Sequence, residues 1–433
     1  MKQRWTHRVL LAVVSIFFVF SFLGCNPVAL PVEDLFSEGL LAVQKDGRYG
    51  YIDEKGNKKI EFYFDLAYAF KDGVAMVKVG TKWNLIDKKG AKVFEDDYEY
   101  IERDLETDLI WFVEDEKLGL MTKTGKVLAD AVYDVDKSGS TYYVYANFSE
   151  GLARVSDGTT YGFLNEKGEV AIPLTYDAAG YFHEGLAYVE DNNKYGYINT
   201  KGDVAIPIQY DDANSFNTNG QALIELGDFM KVIDKKGRIV IDSMDSIVDV
   251  GNYYICEKDG KVSLYDTVGD QVGADTYDDG GPFDLGFFGF ANDDPEELLL
   301  FSPKAKLLNT LSSAEDLNDA SDFFIHDGTI WVLLIRDDML ELVNGNAKET
   351  MEFQGDDMLQ IHDAFAVIRK DGKCGVVNMK DEVVVAYIYD HVKIFGDGFF
   401  AARLGTFYGV LNSKGDVVVE ANKYTNYVTS LIP

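Results

Sequence analysis

The feature that most limits what this chain can fold into is a short unit that keeps returning. "YGYINTKGDVAIPIQYDDANSF" (195–216) restates "YGFLNEKGEVAIPLTYDAAGYF" (161–182). Glycines mark the period: Gly56, Gly90, Gly125, Gly168, Gly202 and Gly237 lie 34, 35, 43, 34 and 35 residues apart. The one long interval holds extra residues around "DKSGSTYY" (136–143). Self-similarity at this period marks an array of small stacked units.

Each unit reads as three strands. "LAYVE" (186–190) alternates apolar and polar residues, as a half-buried strand does. "YGYIN" (195–199) and "DVAIPIQY" (203–210) are two more runs of strand-forming residues. "NNK" and "TKG" separate them, and a tight hairpin turn needs the positive φ that Gly supplies. Pro173 and Pro207 cannot donate to a ladder, so the third strand lies at an edge or breaks there. A Gly every eight or so residues forbids the long amphipathic runs that helical repeats need. The expected class is all-β, built from tandem antiparallel meanders. A single unit cannot bury its own apolar face, so neighbours must stack. Residues 209–216, at roughly 3.3 Å each, are long enough to cross back over a sheet. Both a propeller-like ring and an open β superhelical solenoid satisfy these constraints.

The array runs over 36–433. Clear copies begin at Phe36, Phe70, Phe148 and Phe182, and weaker ones at Phe216 and Phe395. About eleven units fit, with the pattern degenerate over 270–360, where specialisation is expected because local consistency is lost. With 47% hydrophobic residues the chain is far from the disordered regime.

The first residues are different. Lys2, Arg4 and Arg8 precede an uncharged run, "VLLAVVSIFFVFSFLG" (9–24), and then Cys25. This is the layout of an export signal, and sixteen apolar residues are short for a membrane span. "FLGC" (22–25) also resembles the lipobox of bacterial lipoproteins, in which the Cys becomes the first mature residue and carries lipid. The expected organisation is a signal peptide over 1–24, a lipidated linker over 25–35 and the repeat array. The protein would then sit outside the cytoplasmic membrane, anchored through Cys25. An uncleaved anchor is the alternative.

The chain carries −32. Without Lys2, Arg4 and Arg8, 38 basic residues face 73 acidic ones, a net −35. That balance argues against nucleic acid, which calls for a basic footprint, and against electrostatic docking on anionic lipid. It favours basic partners.

The segments "KYGYINTKG" (194–202), "RYGYIDEKG" (48–56) and "TKWNLIDKKG" (81–90) resemble the bacterial WG-containing (KWG) repeat. Tyr49-Gly50, Tyr161-Gly162, Tyr195-Gly196 and Tyr408-Gly409 stand where that family has Trp-Gly, and Trp83 is followed by Asn84. The resemblance implies a β repeat scaffold, often at bacterial surfaces, and no specific reaction. Tyr49, Tyr161 and Tyr195 are read as rings that each unit packs onto its neighbour.

Several groups are candidates for chemistry. Asp65, Glu99, Asp134, Asp177 and Asp211 recur with the same spacing as the turn glycines, and Asp278 and Asp390 look equivalent. Acids at one position of a stacked array form a row. They either cap turns by accepting backbone N–H bonds or make a stripe for a basic partner or calcium. No compact Asp/Asn/Gly calcium loop of the known spacing occurs; "YDDGGPFD" (277–284) comes nearest. The histidines form no HExxH pair, and neither a G-x-S-x-G elbow nor a phosphate loop is present. Cys256 and Cys374 read as small buried residues. Three functions follow: a non-catalytic protein-interaction scaffold, which is preferred; a carbohydrate- or peptidoglycan-binding surface using exposed aromatics such as Trp111 and Trp331; and an enzyme whose acids converge.

Overall fold

A computed structural model describes residues 35–428, apart from 105, 139–140, 274–275, 284–286, 294–295, 303, 312–319, 327–328, 337–338, 345–348, 363 and 397. The signal segment and Cys25 lie outside the described residues. All described regular structure is β. It forms eleven small antiparallel sheets of the propeller-blade type and one two-stranded hairpin, Asp136–Ser138 with Thr141–Tyr143.

Blade 5 shows the plan. A two-residue strand, Ala178–Ala179, leads to Leu186–Asp191, Lys194–Asn199 and Val204–Tyr210, which lie in that order across the sheet. The third strand of the repeat, with Pro207, is the outer edge, as Pro requires. Its pairing also shifts by two residues between Ile206 and Tyr210, so the proline sits in a bulge.

Counted in chain order, blades 1–4 cover Leu40–Phe64, Leu66–Asp87, Tyr100–Tyr133 and Phe148–Tyr176. Blades 5–9 start at Ala178, Asp212, Ser246, Asp279 and Ala320, and blades 10 and 11 at Asp357 and His391. The chain divides into two compact units. One takes in Asp177–Asp357, and the other Pro31–Tyr176 with Met358–Pro433. Within the second unit the end of the array returns to its beginning. Asn426–Val428 pairs antiparallel with Ala42–Gln44 and completes blade 1 as its fourth strand. The Thr425 N–H donates to the Gln44 carbonyl at 2.8 Å. This pairing covers the edge that Leu40–Lys45 would otherwise present.

The degenerate stretch keeps the plan. Asp279–Phe283, Phe287–Asp293, Glu296–Phe301 and Leu307–Leu311 form one four-stranded blade, and residues 320–354 form another.

Two glycine positions explain the repeat signature. In "DEKG", Gly56 adopts φ 76°. The Asp53 carboxylate accepts the N–H groups of Lys55 at 3.0 Å and Asn57 at 2.8 Å, which closes the turn from inside. Asn199 does the same in blade 5 with Lys201 and Asp203. The Tyr-Gly glycine answers to another need. At Gly196 a Cβ would lie 2.6 Å from the Ile208 Cα, because the bulged edge strand presses onto this backbone. Gly196→Ala is therefore expected to destabilise by about 1–3 kcal/mol through overpacking. Chemical denaturation would detect this, and a loss below about 0.5 kcal/mol would contradict the close approach.

Blade-to-blade packing uses the expected Tyr49 and Tyr195, and a second ring more deeply. Tyr49 is buried, but Tyr161 and Tyr195 are half-buried. The fully buried rings sit two positions on, at Tyr51, Phe163 and Tyr197. Tyr51 meets Phe70 of the following unit edge-on at 4.9 Å, and Tyr197 meets Phe216 at 4.8 Å. Their hydroxyls donate to the carbonyls of Tyr68 and Asn214, both at 2.8 Å, so the buried O–H groups are satisfied.

Candidate functional site

The acidic row lies at the joints between blades, and each member is held by several bonds. Asp65 follows the last strand of blade 1. Its N–H donates to the Lys78 carbonyl at 2.8 Å, and its carboxylate accepts the Gly80 N–H at 2.6 Å in the hairpin of blade 2. The same carboxylate pairs with Arg48 in the hairpin of blade 1. Asp211 repeats this with Gly227 at 2.9 Å and Lys194, and Asp390 with Gly405 at 2.6 Å and Lys373 at 2.5 Å. Asp134 takes Lys117 at 3.2 Å, Asp278 takes Lys261, and Asp177 accepts the Asn192 N–H at 2.8 Å. In every such ion pair the cation precedes the acid by the same separation along the chain, one hairpin upstream.

Each acid is thus a staple between consecutive hairpins. The Gly80 N–H, followed by Arg48, holds the Asp65 carboxyl below its usual range. Lys194 and then Gly227 do the same for Asp211, as Lys373 and Gly405 do for Asp390. Carboxylates engaged in this way cap turns. Among the described residues no group of three or more His, Cys, Asp or Glu side chains is placed to hold a metal ion.

The two tryptophans expected on the surface are inside. Trp111 is 0% exposed and Trp331 7%. Trp111 lies on Leu109–Glu114, a middle strand with an unbroken buried run from Ile110 to Val113. Neighbouring blades cover both faces of such a strand, so alternation does not distinguish its inner from its outer residues. The exposed aromatic pair is Tyr143 and Tyr145, on and just after the inserted hairpin, with rings 6.4 Å apart and 9° from parallel. Cys256 and Cys374 are buried and unpaired, and burial pushes the Cys256 thiol up to about 12. Among the described residues burial raises two carboxyls, Glu102 to about 7 and also Asp249. Asp249 accepts the Asn217 amide and the Gly251 N–H, both at 2.7 Å.

The staple departs in blade 2 in an informative way. In blade 2 the cation is Lys82 and the acid in register with it is Glu99, yet Glu99 turns to the Tyr142 hydroxyl at 3.0 Å instead. The same blade has Asn84 in place of the Tyr-Gly glycine. After Lys82–Asp87 its fourth strand is reduced to two bridges, Trp83 with Tyr98 and Ile86 with Lys92. Blade 7, with Ser263 at that position, is also three-stranded. In both blades a side chain stands where the glycine would be, although Lys231 fills the same place in blade 6, which keeps its fourth strand, Ile239–Met244. The Asn84 amide, 3% exposed, takes over the backbone groups left behind. It donates to the carbonyls of Phe94 at 3.1 Å and Asp96 at 3.0 Å, and accepts the Phe94 N–H at 3.1 Å. A cavity of about 350 Å³ opens beside it, between the edge strand of blade 1 and blade 2. Sequence reasoning passed over it, although Trp83-Asn84 was the visible departure.

The WG containing repeat family matches this chain at residues 49–83, 161–195, 195–228 and 375–405. The chain carries WG-containing repeats. The matches at 49–83 and 161–195 run from the Tyr-Gly strand of one blade into the same strand of the next, and those at 195–228 and 375–405 stop in the hairpin just before it, so the sequence unit is out of phase with the structural blade. No curated protein sequence matches the chain. Among solved structures, a eukaryotic initiation factor matches with TM-score 0.40 and 10% identity over 91% of this chain and 99% of its own. Hsv2 of Kluyveromyces lactis matches with TM-score 0.29 and 11% identity over 69% and 98%. AztD of Citrobacter koseri matches with TM-score 0.27 and 11% identity over 73% and 94%. At these scores the likenesses carry no functional argument.

Proposed function

We propose that this chain is a non-catalytic interaction scaffold of the bacterial cell envelope, exported and anchored through lipid on Cys25, that binds a protein partner. The supporting observation is how its repeated polar residues are used. The acids of the row and the Asp or Asn of each turn are engaged in building blades. Recognition is left to the positions that differ between repeats, on a chain with 73 acidic against 41 basic residues. Such a surface favours a basic partner and speeds its encounter.

The test is a pull-down from envelope extract with residues 26–433 as bait, with purified peptidoglycan sedimentation in parallel. A discrete protein retained at physiological salt and released at high salt is the expected result. Sedimentation with peptidoglycan and no protein partner would replace this reading with glycan binding. That second reading rests on the exposed pair Tyr143 and Tyr145, since aromatic faces stack on sugar rings. In that case Tyr143→Ala with Tyr145→Ala would abolish sedimentation.

A further inference from the structure

We propose that the cavity on blade 2 binds a small amphiphilic anion, a carboxylate or phosphate head on a short apolar tail. This goes beyond the scaffold reading and stands without it. The floor is apolar: Ile60 and Phe64 from the edge strand of blade 1, and Val77, Val79 and Ile86 from blade 2. Around it stand four lysines, Lys59, Lys82, Lys89 and Lys92, in a chain that carries −32 overall.

The ion pairs separate these lysines into two kinds. Lys59 pairs with Asp53 at 3.1 Å and Lys92 with Asp97 at 2.5 Å. The acids of the lining are likewise occupied, Asp97 by Lys92 and Glu61 by Lys58 at 2.5 Å. Lys82 and Lys89 have no ion-pair partner among the described residues; Lys82 acts on Asp97 only at longer range. Lys82 is the residue whose counterparts in blades 1, 3, 5, 7 and 10 hold the staple acid. Its own acid is turned away to Tyr142. The cavity therefore coincides with a cation that is not held by its staple acid.

Two ammonium groups without ion-pair partners, beside an apolar floor, select a ligand with both characters. An apolar tail removes the floor from water, and the head meets the lysines as compact point charges. The volume of about 350 Å³ suits a small molecule and lies at the lower end of the range for ligand pockets. Screening over roughly 8 Å at physiological salt keeps the acid surplus elsewhere on the chain from cancelling the local field.

The test is isothermal titration of residues 26–433 with octyl phosphate below its micelle concentration. Octyltrimethylammonium and inorganic phosphate serve as controls. Octyl phosphate is expected to bind at least tenfold more tightly than either control. The double variant Lys82→Gln, Lys89→Gln should bind it at least tenfold more weakly while melting at the parent temperature, because neither ammonium is engaged in the fold. Lys194→Gln, which removes a staple in blade 5, should leave binding unchanged. No binding of octyl phosphate, equal binding of the cationic amphiphile or of phosphate alone, or full binding by the double variant would each overturn the proposal.

Discussion

Trp111→Ala is expected to cost about 3–5 kcal/mol of unfolding free energy, the range for removing a buried large aromatic ring. The ring is 0% exposed and stacks on Phe148 at 5.7 Å and 22°. It belongs to a core cluster that extends from Met76 in blade 2 to Leu164 in blade 4, so the cavity would open between blades. Trp111→Phe should cost much less, because the ring contact survives and the indole N–H, which has no hydrogen-bond partner, is removed. Denaturant unfolding followed by circular dichroism checks both. A folded Trp111→Ala protein of parental stability that had lost a glycan ligand would restore the surface role first expected of this residue.

That misplacement shows where the sequence was legible. Turns and long strands could be read because their chemistry is local: Gly202 supplies a positive φ, Asn199 closes its own turn, and Leu186–Asp191 is a strand by alternation. The edge position of Pro207 could be read for the same reason. The fourth strand could not. Ala178–Ala179 is a bare dipeptide, too short to carry a period, and it belongs to the blade after the repeat in which it is written. The buried face of Trp111 was hidden because stacking covers both sides of a middle strand.

The site was partly legible. The acids were found by their spacing, and turn capping was one of the two readings weighed. Their cations, each one hairpin upstream, were printed in the chain as Arg48, Lys117, Lys194, Lys261 and Lys373. Recognising the pairs required the hairpin register that brings them together. The return of Asn426–Val428 to Ala42–Gln44 left no local trace, since the two strands stand at opposite ends of the array. Loss of pattern over 270–360 did not mean loss of blades. Apolar strands pair without the Tyr-Gly signature, and what that signature governs is how closely the edge strand packs.

Glu102→Gln is expected to stabilise the protein at pH 8 and to have no stabilising effect near pH 4.5. Glu102 lies on Tyr100–Arg103 in blade 3, half-buried, and receives the Tyr100 hydroxyl at 2.9 Å. Burial pushes its carboxyl up to about 7; the Tyr100 bond opposes this and the nearby Asp104 charge adds to it. Asp104 is fully buried and accepts the N–H groups of Glu106, Thr107 and Phe148, so its position is fixed. With the folded pKa above the unfolded value, the folded state binds the proton more tightly. Stability is therefore lost as pH rises from about 4.5 to 7, and the full cost, at most about 3 kcal/mol, is present at pH 8. A neutral glutamine accepts the same Tyr100 bond without that cost. The staple carboxylates titrate in the opposite sense: held low in the fold, they contribute above about pH 4 and lose that contribution only in stronger acid. Comparing variant with parent at each pH cancels them. A gain of equal size at both pH values would trace the effect to packing, and no gain at pH 8 would mean that the Glu102 carboxylate is well solvated in the fold.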